Sequence, residues 1–355
     1  MSGGKCKVAW PKVCRPPALG GLGILDLRLF GYALRLRWEW LSRAEPQRCW
    51  VTLPSRAERV VRDMHVASLS VVIGDGADAM LWTDNWLPVG PLHHFAPTLF
   101  AATSMAGRKR KVREALQDHR WAADITGAPT TQVLCEYFRV WDLLAVVQLQ
   151  PLQSDRFFWK WSADRRYSVS STYRAFFHGS TSMLGAKELW SIRVPPRVKF
   201  FFWLALQERL WTADRRKRHG LQDGDECAFC AQEAETMPQL LLGCYFARQV
   251  WYALLHPLQL DTLIPAISDG DDVASWWVQQ RMRIDNRERK FFDSLLLLIA
   301  WCLWKERNAR VFGRASANVD GVVKSLLRES EDWALGGFRL FAELNELWSR
   351  HLGSM

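Results

Sequence analysis

No stretch of this 355-residue sequence stays apolar for long. The longest such run, Leu295 to Trp304, has ten residues, about half of the roughly 20 that a helix needs to cross a bilayer. A charged-then-apolar leader is also missing, since Met1-Ser2-Gly3-Gly4-Lys5 leads directly into a mixed segment. Both absences argue against secretion and membrane insertion and for an intracellular protein. There is no tandem repeat and no low-complexity tract. The marks of a catalytic centre are lacking too: no nucleophile–base pair, no phosphate loop and no carboxylate dyad. Gly74-Asp75-Gly76 reads as a hairpin turn and not as a phosphate cradle. The eight Cys (6, 14, 49, 135, 227, 230, 244, 302) are scattered, so reduced thiols are expected and a disulfide framework is not.

Hydrophobic residues make up 49% and charged residues 24%, the composition of a globular chain. Twenty Trp require a large core or many exposed ring faces. The net charge is +10, which favours a polyanionic partner, but it is segmental. Met1 to Val66 holds twelve Lys/Arg against five Asp/Glu, and Lys187 to Gly220 holds nine against three. Between Leu221 and Gln280 only Arg248 opposes nine acids. A basic stretch therefore abuts an acidic one, compatible with a nucleic-acid groove or with solvated helix faces that neutralise each other.

Periodicity predicts a mainly α chain with short β-hairpins. Asp26 caps an amphipathic basic helix over 27–41, with Leu27, Phe30, Leu34, Trp38 and Leu41 on one stripe. Val71 and Ile73, the turn Gly74-Asp75-Gly76 and Met80-Leu81-Trp82 suggest a small hairpin. Trp159-Lys160-Trp161 and Tyr167-Ser168-Val169 suggest two short strands around a polar turn. Further helices are expected after Gly107 and over 130–147, 171–177, 198–210, 214–218, 237–255, 287–311 and 319–352, with an acidic loop at Ser268 to Asp272. Arg108-Lys109-Arg110-Lys111 reads as a nuclear-import signal or as a solvated helix start.

One constellation has ligand spacing. Cys227-x2-Cys230 can aim two thiolates at one ion from a single turn, and Cys244 lies downstream on a predicted helix. A fourth ligand is expected at position 239, in the pattern C-x2-C-x8-X-x4-C, but the residue there is Gln239. A neutral amide oxygen is a poor zinc ligand. Glu235-Thr236-Met237-Pro238-Gln239 instead reads as a capping box, with Gln239 reaching back to the Thr236 amide. His219, Glu233 or His256 could then complete an otherwise damaged site.

The block Trp190-Ser191-Ile192-Arg193-Val194-Pro195-Pro196-Arg197-Val198-Lys199-Phe200-Phe201-Phe202-Trp203-Leu204, with Arg209-Leu210-Trp211-Thr212-Ala213-Asp214-Arg215, Cys227-x2-Cys230, Glu235-Thr236 and Cys244-Tyr245-Phe246-Ala247-Arg248-x-Val250-Trp251, resembles the zinc-binding domain of plant LINE-type (non-LTR) retrotransposon reverse transcriptases. Flanking blocks agree in order: Val8-Ala9-Trp10 through Asp26-Leu27, Ile73-Gly74-Asp75-Gly76 with Leu81 to Leu87, Tyr167-Ser168-Val169-x-Ser171-x-Tyr173, and Trp301-x-x-Trp304-Lys305-Glu306-Arg307-Asn308 through Phe312. The resemblance covers nearly the whole chain and implies the C-terminal region of such an enzyme. It implies zinc at Cys227, Cys230 and Cys244, with Gln239 where the family has His.

The family's polymerase holds two metal ions on a Phe/Tyr-x-Asp-Asp turn. The adjacent pair here, Asp271-Asp272, has no aromatic before it and reads as a solvated loop. Polymerase, endonuclease and ribonuclease H regions are expected to be absent, leaving a non-catalytic protein. The expected organisation is a post-polymerase remnant over 1–66, a mixed segment with hairpins over 67–180, a helical Cys-knuckle domain over 181–260 and a helical region over 261–355. RNA or DNA would be bound through Arg193, Arg197, Lys199, Arg215, Arg216, Lys217 and Arg218, with Trp203 or Trp211 for stacking. The competing readings are a degenerate remnant with no selected activity and a Trp-rich protein-interaction scaffold. No small-molecule substrate is suggested.

Overall fold

A computed structural model describes residues 7–52, 57–266, 272–313 and 316–352. The chain is mainly helical, with one two-stranded sheet. It divides into two compact units, one of residues 25–179 and the other of the residues before 25 and after 179. No helix among the described residues is long and apolar enough to cross a membrane.

In the 25–179 unit, helix α1 (Leu27–Ala44) starts where the Asp26 carboxylate accepts the N–H groups of Arg28 and Leu29 at 2.9 and 3.2 Å, an N-cap that satisfies two orphan donors. Tyr32, Leu36 and Trp40 recur every four residues and form its buried stripe, which corrects the predicted one: Leu27, Leu34 and Trp38 lie on the exposed side. They pack with Val61 of α2 (Arg59–Ser68) and with Leu69, Val71 and Trp159. Strand β1 (Leu69–Val72) pairs antiparallel with β2 (Arg156–Trp159), Leu69 opposite Trp159 and Val72 opposite Arg156.

That pairing corrects the hairpin predicted over 71–82. The Gly74-Asp75-Gly76 turn does not fold β1 back on Met80-Leu81-Trp82; it wraps around the Asp155 carboxylate. One oxygen of Asp155 accepts from Gly74 N and Gly76 N, the other from Asp78 N and Ala79 N, all at 2.8–2.9 Å. Burial alone would raise the pKa of this carboxyl, but the four N–H donors bring it below the usual value. A side chain at Gly74 would strike the Gln153 carbonyl. The predicted strand at Tyr167 is likewise not formed. Ser168 accepts from Ser171 N and caps helix α4 (Val169–Ala175) instead. A second core gathers Trp82, Leu92, Leu99, Trp121, Val133, Val140 and Leu144, the last three from α3 (Thr131–Ala145).

In the other unit, Pro196 opens α5 (Pro196–Leu206) at the position where a missing N–H costs nothing. The helix stops before Leu210: Glu208 turns left-handed (φ 52°) and Arg209 N reaches back to Leu204 O. Trp203 is buried and its Nε1 donates to Gly20 O at 2.7 Å, tying the N-terminal segment to the core. Short α6 (Ala213–Arg218) follows. The helix predicted over 237–255 is broken. A π-helical turn over Gln239–Gly243 ends at Cys244, whose extended backbone (φ −61°, ψ 132°) precedes α7 (Tyr245–Leu255).

Asp272 caps α8 (Val273–Met282); the rest of the predicted acidic loop, 268–271, lies outside the described residues. Helix α9 (Asn286–Val311) is apolar on every side over 295–300 and runs through the core. The single helix predicted over 319–352 is two, α10 (Val319–Leu335) and α11 (Arg339–Leu352), because Gly337 adopts φ 90° and stops the first.

Candidate metal centre

The Cys knuckle is a tight loop between α6 and the π turn. A bridge pairs Glu226 with Ala234, and Cys227 N donates to Glu233 O at 2.8 Å while Ala231 N donates to Cys227 O at 2.9 Å. Ala231 is left-handed (φ 52°) and turns the chain back just after Cys230, closing the turn that carries both thiols. The break at Cys244 swings the third thiol off the helical path towards them. The Cys227 and Cys244 sulfurs lie 3.8 Å apart, and all three lie within 4.8 Å of one another. An ion that binds sulfur tetrahedrally at about 2.3 Å requires sulfurs about 3.8 Å apart. The cluster fits such an ion.

Their electrostatics are unequal. The hydrogen bond between the Cys227 and Cys244 sulfurs, with the Phe229 and Cys230 amides nearby, holds the Cys227 thiol below its ordinary pKa against the upward push of burial. The same bond, together with burial, pushes Cys244 up. One sulfur is thus prepared as a thiolate, the form that binds metal.

Gln239 occupies the fourth side. Thr236 Oγ1 accepts from Gln239 N at 3.2 Å, which is half of the predicted capping box. The other half is not made: Thr236 N donates to Ala234 O, and the Gln239 side chain turns to the cluster, with Nε2 3.7 Å from Cys230 Sγ. Its Oε1 is buried with no hydrogen-bond partner. The proposed substitutes lie elsewhere. His219 packs edge-on to Trp211, His256 pairs with Asp261 and stacks on Tyr252, and Glu233 is exposed; among the described residues only the three Cys group closely enough to share an ion.

Two arginines and a carboxylate hold the loop from behind, and sequence reasoning gave them no role. Glu235 is fully buried. It accepts from Ala213 N, at the start of α6, at 2.8 Å, from Ala228 N in the knuckle at 3.2 Å, and from Arg307 on α9 at 2.9 and 2.5 Å. Arg310 lies 4.9 Å over Phe229 and 4.3 Å over Phe246 and donates to the Ala228 and Phe229 carbonyls. Arg307 and Arg310 are one turn apart, a spacing visible in the block that ends at Phe312, but the partner of Arg307 sits 72 residues upstream.

Most of the seven basic residues singled out in the sequence are engaged within the fold. Arg197 pairs with Glu329, Lys199 donates to Trp190 O, Lys217 pairs with Asp225 and Arg218 with Asp214. Arg215 is buried, donating to Glu208 O and covering Trp211 at 4.9 Å. Arg193 and Arg216 have no ion-pair partner among the described residues. Trp203 is in the core and offers no stacking face. In the Arg108–Lys111 run, Arg108 donates to three carbonyls, Arg110 grips Asp124 with two hydrogen bonds and Lys111 faces Asp78.

Residues 167–251, which contain the whole Cys cluster, match the family described as zinc-binding in reverse transcriptase. Over 94% of its length the chain is 22% identical to the Arabidopsis thaliana protein named "Putative ribonuclease H protein". It spans 56% of that relative's length. No solved structure matches. These likenesses are consistent with a retrotransposon-derived C-terminal region carrying a three-thiol, zinc-type cluster.

Proposed function

We propose that this chain is a non-catalytic, retroelement-derived module in which Cys227, Cys230 and Cys244 hold a zinc ion that fixes the knuckle, and which associates with RNA or DNA. The convergence of three sulfurs within 4.8 Å, inside the segment that matches the zinc-binding family, carries this reading. Zinc would supply structure here, tying Cys227 and Cys230 of the knuckle to Cys244 at the start of α7.

Mass spectrometry under native conditions, paired with retention of an unstructured RNA oligonucleotide, tests both halves. One zinc per chain, lost to a chelator, and RNA retention that falls steeply with salt are the expected results. A metal-free chain would remove the first half, and no retention at low salt the second. Both together would leave the degenerate remnant, which the replacement of His by Gln at position 239 favours. Primer extension or RNA cleavage by the purified chain would overturn the non-catalytic assignment.

A further inference from the structure

We propose that the outward face of the β1–β2 ribbon is a second, separate contact surface that takes the phosphodiester backbone of a nucleic-acid strand, with Arg156, Lys160 and Arg165 on the phosphates. The inference rests on the nucleic-acid association proposed above and gives it a location that the family match does not cover.

The strand register decides which side chains share this face. Leu69, Val71 and Trp159 point into the core, so Ser70, Val72, Arg156 and Phe158 point out. The ladder continues one residue past β2, where Lys160 N donates to Ser68 O at 3.0 Å, and Lys160 follows Phe158 on the outward side. Arg156, Phe158 and Lys160 thus form a stripe about 13 Å long at the usual strand rise. Opposite them β1 offers only Ser70 and Val72, neither of them charged.

Arg165 completes the stripe from the next turn. Its guanidinium lies 5.2 Å from the centre of the Phe158 ring, and that of Arg156 lies 5.1 Å from the same ring. One aromatic side chain therefore positions two cations, which lowers the entropy lost when they bind. Arg165 is held with φ 56°, its N–H on Ser162 O and its carbonyl on Trp159 N. That is a costly conformation for a residue with a side chain.

Neither guanidinium has a carboxylate partner among the described residues, and Lys160 Nζ meets only the Ala67 carbonyl. Of the neighbouring acids, Asp155 is buried and accepts four N–H groups, and Asp164, exposed in the turn beside Arg165, accepts from Arg166 N and makes no ion pair among the described residues. Three exposed cations against one exposed carboxylate suit a chain of evenly spaced negative charges better than one acidic side chain. In this they differ from the basic residues around Arg215, most of which are already paired.

The test compares the full-length chain with the triple variant R156Q/K160Q/R165N, using a short oligouridylate between about 50 and 200 mM salt. Asn is chosen at 165 because it tolerates positive φ. The triple variant is expected to bind at least about tenfold more weakly, with the slope of log affinity on log salt reduced by about 2, or roughly 0.7 for each phosphate contact to a single strand. The charge-retaining R156K/R165K variant should keep the slope, which separates loss of charge from loss of fold, and R193Q/R216Q should change it less. If the wild type does not bind the oligonucleotide, the association itself fails and the ribbon site with it. If the wild type binds and the triple variant matches it in affinity and slope, only the ribbon site is overturned. Loss of binding to phosphatidylserine vesicles with RNA binding unchanged would also overturn it.

Discussion

Gln239 shows how one side chain can stand between two roles. Its amide N–H completes the cap at Thr236, while its side chain is buried beside three sulfurs with Oε1 unpartnered. A buried carbonyl oxygen without a donor costs on the order of 1–3 kcal/mol. A half-turn of the amide would exchange Nε2 for Oε1 at the sulfur side and offer that oxygen to an ion, which would remove the cost. Imidazole is the better zinc donor. Q239H is therefore expected to tighten zinc binding by about tenfold or more, and Q239A to weaken it, judged by competition with a chromogenic chelator. Equal affinities in all three proteins would show that position 239 does not reach the ion.

A second buried residue links stability to pH. The His65 Nε2 is buried without a partner, and burial, reinforced by the Arg43 charge, lowers its pKa to about 4. The unfolded chain takes up that proton near pH 6.5 and the folded one only near 4. Stability from this group is intact above about 6.5 and declines as pH falls towards 4. The total loss is about 3 kcal/mol, at about 1.4 kcal/mol per pH unit. Urea unfolding between pH 7 and 4 should show this decline in the 25–179 unit, and H65F should flatten it. An unchanged slope in H65F would assign the decline to other groups.

At the scale of elements, the sheet is held in register by a loop and not by a turn between its strands. Asp155 immediately precedes β2 and accepts four N–H groups from the segment just after β1. D155A would leave four partly or fully buried donors without an acceptor and should cost at least about 3 kcal/mol, since each lost charge-assisted bond removes about 1.5–3. Measured against this, D155N should cost less, because its amide oxygen still accepts. Equal losses in the two variants would show that the charge, and not the count of bonds, holds the loop. The same loop explains what was legible in the sequence. The start of α1 was readable because the Asp26 cap lies within one turn of the amides it serves. Its buried face was not, because apolar residues lie on both sides of the helix and the periodicity picked out Leu27, Leu34 and Trp38, which are exposed, over Tyr32, Leu36 and Trp40. β1 was assigned the wrong partner because its real one is 84 positions away even at the closest register pair, Val72 with Arg156. The Cys spacing exposed the knuckle, yet the helix break that turns Cys244 inward was hidden under a continuous apolar pattern from Met237 to Leu255. Glu235 gave no sign that its charge would be buried against Arg307.

For the whole molecule, the buried Glu235–Arg307 pair decides how far metal binding is felt. Glu235 joins the start of α6, the knuckle and α9, and Arg310 fixes the knuckle carbonyls to the same helix. A buried pair of this kind is strongly destabilising to break from one side, at about 3–5 kcal/mol. The loop is therefore braced by α9 even without an ion. Zinc bound at the three thiols would add to that bracing by linkage, about 2.7 kcal/mol when free metal is a hundredfold above its dissociation constant. Hydrogen exchange followed by mass spectrometry distinguishes the two contributions. Chelation should speed exchange over 226–247 and leave β1, β2 and the 295–303 stretch of α9 unchanged. R307L should speed exchange in the knuckle and in α6 with or without zinc, because Ala213 N and Ala228 N would then face a buried carboxylate that has lost its countercharge. If chelation instead opened α9 throughout, the ion and not the Glu235–Arg307 pair would be what holds this unit together, and the chain would behave as a metal-dependent fold.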